Sequence, residues 1–219
     1  MSDSAAYRLR SSRLSTLQAF YPRTIKRGLD LTLVLIVAPA VLLLVAVLAL
    51  WIRRDGGPAF YAQDRVGRGG RVFRMWKLRS MVVDADTRLL DLLEQDPQAR
   101  QEWVETQKLR NDPRITRLGR VLRKTSLDEL PQLWNVLIGD MSLVGPRPFL
   151  PTQAELYPGT AYYSMRPGLT GYWQLRDRNG SSFAGRAVHD DLYCREISLG
   201  TDLRLIGATA RVVLRQTGL

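Results

Sequence analysis

The longest apolar run in the chain extends from Leu31 to Ile52, 22 residues without a charged side chain. A run of this length exceeds the threshold of about 18 residues for a membrane-spanning helix. It begins late in the chain, and no small-residue cleavage site follows it, so a cleaved signal peptide is not expected. The run therefore predicts a helix that enters a bilayer.

Pro39 lies in the middle of this run. An interior proline removes a helical hydrogen bond and clashes with the preceding turn, which predicts a kink or break at Ala38 and Pro39. Each half would be about 16–20 Å long, roughly half of a hydrocarbon core of about 30 Å. Basic residues flank the run on both sides: Arg23, Lys26 and Arg27 before it, Arg53 and Arg54 after it. Because basic flanks stay on the cytoplasmic side, the pattern favours a re-entrant helical hairpin, with a proline-kinked single span as the alternative.

The pattern changes after the membrane segment. Pro58–Ser80 reads as two strands around a turn at Gly67–Gly70. Residues 84–109 predict one or two polar helices, interrupted near Pro97. Further helices are predicted close to the end of the chain, over Asp190–Ser198 and Thr201–Gln216.

The segment Arg114–Lys124 combines an apolar helical stripe with arginines on its remaining faces. The stripe consists of Ile115, Leu118, Val121 and Leu122. A basic amphipathic helix of this kind is suited to lie in the membrane interface. The alternative is a basic helix that packs on the protein core.

The net charge of +11 is unevenly distributed along the 219 residues. Residues 1–27 contribute +5, residues 53–82 contribute +6 and residues 111–124 contribute +4, so the excess brackets the apolar run and recurs once. Attraction to anionic lipid headgroups explains this distribution better than nucleic-acid binding does. The single cysteine excludes an intramolecular disulfide and fits a reducing compartment.

Two adjacent carboxylates, Asp128 and Glu129, stand at the predicted start of a helix. Ser126 and Glu129 match a capping box, so a purely structural role at the helix N-terminus is one interpretation. In the other interpretation, the helix N-terminus keeps Asp128 ionised and attracts an anionic substrate, and Asp128 attacks a phosphoryl centre. Glu129 would then hold a divalent metal such as Mg²⁺, while Arg123 and Arg147 bind diphosphate oxygens.

In their order along the chain, these motifs resemble the bacterial sugar transferases, the monotopic phosphoglycosyl transferases that act on polyprenyl phosphates. The match covers about residues 20–217 and looks like the minimal catalytic-domain form, without the extra transmembrane helices of larger relatives. The segments that carry it are Lys26-Arg27-x-x-Asp30, Gln63-x-Arg-x-Gly67, Lys77-Leu-Arg-Ser-Met81, Leu122-Arg-Lys-Thr-Ser-Leu-Asp-Glu-Leu-Pro-Gln-Leu133, Gly139-Asp-Met-Ser-Leu-Val-Gly-Pro-Arg-Pro148 and Pro167-Gly-Leu-Thr-Gly171.

The resemblance implies an α/β, helix-rich fold, in which an N-terminal re-entrant membrane helical hairpin precedes a small cytosolic domain with interfacial amphipathic helices. Residues 1–19 would form an N-terminal basic tail and residues 20–54 the re-entrant helix, broken near Pro39. Residues 55–219 would form the cytosolic phosphoglycosyl transferase domain. The resemblance places this domain at the cytoplasmic face of the bacterial inner membrane.

The reaction implied by the resemblance is ping-pong transfer of a sugar 1-phosphate from a UDP-sugar to undecaprenyl phosphate, with release of UMP. It is the first membrane step of glycoconjugate or exopolysaccharide biosynthesis, and Mg²⁺ is the expected cofactor. By the same resemblance, Asp128 is the nucleophile and Glu129 its partner and metal ligand. The residues expected to bind phosphate or substrate are Arg123, Arg147, Lys77 and Arg79.

Three other interpretations compete with this one. A non-enzymatic membrane scaffold for glycan assembly would not need the intact carboxylate pair. An ordinary glycosyltransferase would release UDP and form no covalent intermediate. A nucleic-acid- or lipid-binding protein would show salt-dependent binding without turnover. The expected partners are the UDP-sugar, undecaprenyl phosphate and membrane lipids, without nucleic acid; downstream glycosyltransferases are compatible partners.

Overall fold

The computed structural model describes residues 21–106, 109, 111–176 and 183–214. Residues 1–19, predicted as a basic tail, lie outside the described residues. The fold is helix-rich α/β, as predicted, with one long apolar helix near its N-terminus. The elements are helices α1 (Lys26–Ile52), α2 (Ala85–Gln95), α3 (Pro97–Thr106), α4 (Arg117–Thr125), α5 (Gln132–Ile138), α6 (Ala161–Ser164), α7 (Tyr172–Arg176), α8 (Arg186–Glu196) and α9 (Leu199–Leu214), and strands β1 (Phe60–Val66), β2 (Val72–Leu78), β3 (Ser142–Val144) and β4 (Gly168–Thr170).

Strands β1 and β2 form the predicted antiparallel hairpin, paired from Phe60 with Leu78 to Val66 with Val72. The turn between them contains Gly69 at φ +68°, a left-handed conformation that favours glycine. Directly paired residues of antiparallel strands project from the same face. One face of the hairpin therefore carries Tyr61, Gln63 and Arg65 from β1 together with Phe73, Met75 and Lys77 from β2.

Strands β3 and β4 form a parallel pair that the sequence did not predict. Gly168 begins β4 and lies against Gly145. A Cβ atom at Gly168 would lie 2.1 Å from the backbone nitrogen of Gly145. The close approach of the two backbones thus requires glycine at this position.

Helix α1 passes through Pro39 without ending there, contrary to the predicted break. A proline removes only its own N–H from the helical ladder, and the neighbouring hydrogen bonds can continue on both sides. The helix is long and apolar enough to cross a membrane by length and composition. Its central part, residues 35–47, carries seven large exposed apolar side chains.

Both ends of α1 nevertheless pack on the rest of the protein. Near the N-terminal end, Val34 is buried in a cluster with Phe73 and Met75 of the hairpin. Near the C-terminal end, Leu48 and Ile52 are buried in a second cluster that also contains Leu78 of β2 and Leu122 of α4. The β1–β2 hairpin therefore lies in contact with both ends of α1.

The first turn of α1 is fixed by a buried polar network. The Lys26 ammonium lies 2.6 Å from the Asp202 carboxylate of α9, which also accepts hydrogen bonds from Tyr21 and Tyr193. The Asp30 carboxylate accepts hydrogen bonds from the Ser142 hydroxyl and the Leu143 amide of β3. The network attaches the start of α1 to α9 and β3.

The remaining helices follow the sequence pattern more closely. Helices α2 and α3 are separate and divide at Pro97, as predicted. Helix α4 buries Leu122 completely, whereas Val121 on its other side is 55% exposed. The apolar stripe of α4 thus packs on the core in part and leaves an apolar and basic surface free.

Candidate active site

The two carboxylates lie in a short 3₁₀ turn, Leu127–Glu129, between α4 and α5. The predicted capping box is not formed, because Ser126 ends α4 in a left-handed conformation (φ +58°) and its side chain makes no capping hydrogen bond. The helix that follows begins only at Gln132. The structural explanation for Asp128 and Glu129 as helix-capping residues therefore does not hold.

Asp128 is the more buried of the two acids, with 7% of its surface exposed. Burial raises the pKa of its carboxyl group above the usual value, because a charge in a poorly solvated place is costly. The positive charges of Lys77 and Arg123 lower that pKa, while the negative charge of Glu129 raises it. The cost of removing the Asp128 carboxylate from water is therefore partly offset by two cations, Lys77 on β2 and Arg123 on α4.

Lys77 joins the hairpin to the carboxylate pair. Its ammonium lies 2.7 Å from Oε1 of Glu129 and 3.7 Å from Oδ2 of Asp128. Lys77 projects from the inner face of the hairpin, next to the buried residues of β2. The structure therefore brings together Asp128, Glu129 and Lys77, as the resemblance implied.

Arg147 reaches the same pair from the loop after β3. Its Nη2 atom lies 3.8 Å from Oε1 of Glu129, so the ion pair is a loose one. The prolines on either side, Pro146 and Pro148, are buried and restrict the backbone that presents the arginine. The planar fork of donors on a guanidinium group matches the oxygens of a phosphate.

Arg123 and Arg79 lie in different places, although both were expected to bind phosphate or substrate. Arg123, in the last turn of α4, donates from Nε to the Ser80 hydroxyl at 2.9 Å and acts on Asp128 through its charge. Arg79 is buried at the end of α1, where it bonds to the carbonyls of Pro58 and Ile52 and to Asp55. The structure brings Arg123 to the site but does not bring Arg79 to the carboxylates.

Asn135 is a residue of the site that sequence reasoning missed. It is fully buried on α5, where its side-chain amide donates to the carbonyl of Arg74 and accepts from the amide of Trp76. These bonds fix β2, and with it Lys77, against α5. A single asparagine between apolar residues carries no motif, and the only available signal was its polarity inside a helix otherwise rich in apolar side chains.

The two carboxylates of the site suit one common type of magnesium site, in which the protein supplies few of the ligands. Within the described residues, no three acidic, histidine or cysteine side chains are grouped so that they could hold a metal ion. Mg²⁺ is commonly bound by one or two carboxylates and completed by water and substrate phosphates. Asp128 and Glu129 fit that kind of site.

Comparisons with known proteins point to one family. Residues 21–216 match the family model described as bacterial sugar transferase. The chain is 47% identical over 203 residues to the undecaprenyl-phosphate galactose phosphotransferase of Salmonella typhimurium, and 46% identical over 198 residues to the UDP-galactose-lipid carrier transferase of Erwinia amylovora; each alignment covers 90% of this chain and 42% of the relative. It is 41% identical over 196 residues to the exopolysaccharide production protein ExoY of Sinorhizobium fredii, covering 88% of this chain and 87% of that protein. The chain thus spans less than half the length of the first two relatives.

Proposed function

Because this chain belongs to the bacterial sugar transferase family, we propose that it transfers a sugar 1-phosphate from a UDP-sugar to undecaprenyl phosphate and releases UMP. The names of two relatives refer to undecaprenyl phosphate and to a UDP-galactose donor. The observation that carries the proposal is Asp128, a buried carboxylate held between Lys77 and Arg123 beside a second carboxylate. Such a group suits nucleophilic attack on a phosphoryl centre.

In the first step, a carboxylate oxygen of Asp128 attacks the β-phosphorus of the UDP-sugar. The bond from that phosphorus to the bridging oxygen breaks, and UMP leaves with the electron pair. The product on the protein is an acyl phosphate that carries the sugar. Lys77, Arg123 and Arg147 stabilise the negative charge on the phosphoryl oxygens during attack.

In the second step, a phosphate oxygen of undecaprenyl phosphate attacks the same phosphorus. The bond between Asp128 and phosphorus breaks, which regenerates the carboxylate and forms a diphosphate-linked sugar on the lipid. Because UMP leaves before the acceptor reacts, the kinetics are ping-pong. Glu129 would hold Mg²⁺, which when bound supplies positive charge to the diphosphate oxygens.

The proposed membrane arrangement is monotopic, with α1 entering the bilayer and returning on the cytoplasmic side. Support comes from the packing of both ends of α1 against the β1–β2 hairpin, while apolar residues between these ends are exposed. Pro39 lies in that exposed part and offers a place for a bend. Basic residues at both ends agree with one shared side of the bacterial inner membrane.

Cysteine labelling tests this arrangement. Cys194 is the only native cysteine, so a Cys194→Ser background can receive one cysteine before α1, at Thr24, or one after it, at Asp91. With a membrane-impermeant maleimide, we expect no labelling of either site in intact cells and labelling of both after permeabilisation. Labelling of the Thr24 site alone in intact cells would show a single span instead.

Nucleotide release tests the reaction. The purified protein is incubated with undecaprenyl phosphate, Mg²⁺ and either UDP-galactose, UDP-glucose or UDP-N-acetylgalactosamine. We expect UMP from at least one donor, no UMP from Asp128→Asn, and unchanged release from Asp91→Asn, a matched substitution at an exposed position of α2. With donor alone, the intact mass of the wild type, but not of Asp128→Asn, should rise by one sugar phosphate. Release of UDP would indicate ordinary glycosyl transfer, and full activity of Asp128→Asn would remove this residue from the mechanism.

A further inference from the structure

Arg147 belongs to a second group of charges besides the carboxylate pair. The charges of Arg65, Arg147 and Arg186 act on one another, which places three guanidinium groups together. Arg65 comes from β1, Arg147 from the loop after β3 and Arg186 from the start of α8. Since Arg147 also lies 3.8 Å from Glu129, this arginine cluster is continuous with the candidate active site.

Two members of the arginine cluster have a buried donor that finds no acceptor among the described residues. Arg186 is 6% exposed. One of its terminal nitrogens donates to the Arg147 carbonyl, and its guanidinium lies 4.7 Å from the ring centre of Trp173, but its Nε has no hydrogen-bond partner within the described part of the chain. Arg65 donates to the side chain of Gln63, and its Nε is likewise buried, with no partner in the residues that the structure describes. Buried donors are rarely left unsatisfied, because an unpaired donor removed from water is costly, and more so when it is charged.

Carboxylates near the arginine cluster are already engaged elsewhere: Glu129, 3.8 Å from Arg147, also pairs with Lys77 at 2.7 Å. The charge of Asp190 acts on Arg186, but burial raises the pKa of Asp190 to about 6, and its carboxylate already accepts a hydrogen bond from Tyr157. Burial, and then the charges of Arg147 and Arg186, lower the pKa of Arg65 to about 10, so Arg65 stays protonated at neutral pH. A bound anion would reduce the repulsion between the three arginines and would accept hydrogen bonds from the two buried Nε donors.

We propose that Arg65 and Arg186, together with Arg147, bind the phosphate of the nucleotide leaving group, the one that is not transferred. This inference rests on the proposed function. Phosphate oxygens match the planar fork of a guanidinium group. Arg147 touches the carboxylate pair and the arginine cluster alike, so a diphosphate with one phosphorus at Asp128 would have its neighbouring phosphate beside the cluster.

The test is direct binding of UMP, measured by calorimetry on the full chain, for wild type and for Arg65→Gln. We expect UMP to bind the variant about tenfold more weakly or worse, because charge-assisted hydrogen bonds are lost. Arg65→Lys keeps the positive charge but lacks Nε. It should bind UMP with an affinity between that of the wild type and that of Arg65→Gln. Arg71→Gln, the same substitution at an exposed arginine of the same hairpin, should bind UMP as the wild type does.

The binding measurement needs no turnover, so its result is separate from that of the proposed function. Weakened UMP binding by Arg65→Gln supports the site even in a protein that releases no UMP from any donor tested. An unchanged UMP dissociation constant overturns it. A higher KM for undecaprenyl phosphate with unchanged UMP binding also overturns it, since the phosphate held by the cluster would then be that of the acceptor.

Discussion

Lys77 is the cation whose removal should disturb the carboxylate pair most. Its ammonium lies within 3.7 Å of oxygens from both Asp128 and Glu129, and 23% of its side chain is exposed. Lys77→Met keeps the length of the side chain and its packing on β2 but removes the charge. Without the Lys77 charge, the two adjacent carboxylates would face each other beside the looser Arg147 contact to Glu129 at 3.8 Å and the charge of Arg123 near Asp128.

The expected loss of stability follows from the degree of burial. Exposed ion pairs contribute about 0–1 kcal/mol, whereas removing one partner of a fully buried pair costs about 3–5 kcal/mol. Lys77 and Glu129 lie between these limits, so we expect about 2 kcal/mol. For a chain of this size, that corresponds to a decrease in Tm of about 4–8 °C. Lys124→Met, at an exposed lysine of α4, is the matched control and should leave Tm unchanged.

The same substitution should alter the pH dependence of activity. Lys77 is the largest influence that lowers the pKa of Asp128, so its removal raises that pKa further. Attack requires the ionised carboxylate, and the acidic limb of kcat/KM for UMP release should therefore move to higher pH. A double-mutant cycle that combines Lys77→Met with Glu129→Gln should give a coupling energy of at least about 0.5 kcal/mol in the free energy of unfolding, measured by thermal denaturation. Additive effects together with an unmoved acidic limb would refute the assignment of Lys77 to the carboxylate pair.

Two further predictions concern stability. Because burial raises the pKa of Asp128, its charged form is disfavoured in the folded state, so its contribution to stability is complete below the unfolded pKa of about 3.9 and is lost as pH rises through the folded value. Asp128→Asn should accordingly have a higher Tm than the wild type at pH 7.5, with a gap that narrows towards pH 5, and a lower Tm at pH 7.5 would contradict this account. Gly168→Ala should abolish folding, seen as loss of soluble protein, because the new Cβ meets the Gly145 backbone; Gly207→Ala, where no atom lies within 4 Å, should fold and serve as control.

Features fixed by local sequence were the ones that could be predicted. The hairpin follows from alternating side chains around Gly67–Gly70, and α1 follows from the length of its apolar run. The division between α2 and α3 follows from Pro97. Each of these features depends on a regular pattern of apolar side chains or on a residue that restricts its own backbone.

Features fixed by distant contacts were missed or misassigned. The β3–β4 pair consists of three-residue strands joined across 26 positions, from Ser142 to Gly168, and no short pattern marks it. The Ser126–Glu129 spacing fits a capping box, yet tertiary packing uses Ser126 to end α4 instead. Arg79 belongs to the same sequence motif as Lys77, but it projects towards Asp55 at the end of α1.

The attachment of α1 gives these distant contacts a functional meaning. Its first turn is held by the buried Lys26–Asp202 pair, and its last turn by Arg79, which bonds to the Ile52 carbonyl. The body that anchors both ends is the one that carries Asp128. In the proposed reaction the acceptor phosphate is confined to the level of the lipid headgroups, so its attack requires Asp128 at a fixed height above the bilayer. In the proposed membrane arrangement, the hydrogen bonds at both ends of α1 set that height, whereas a flexible linker after a single span would leave it variable.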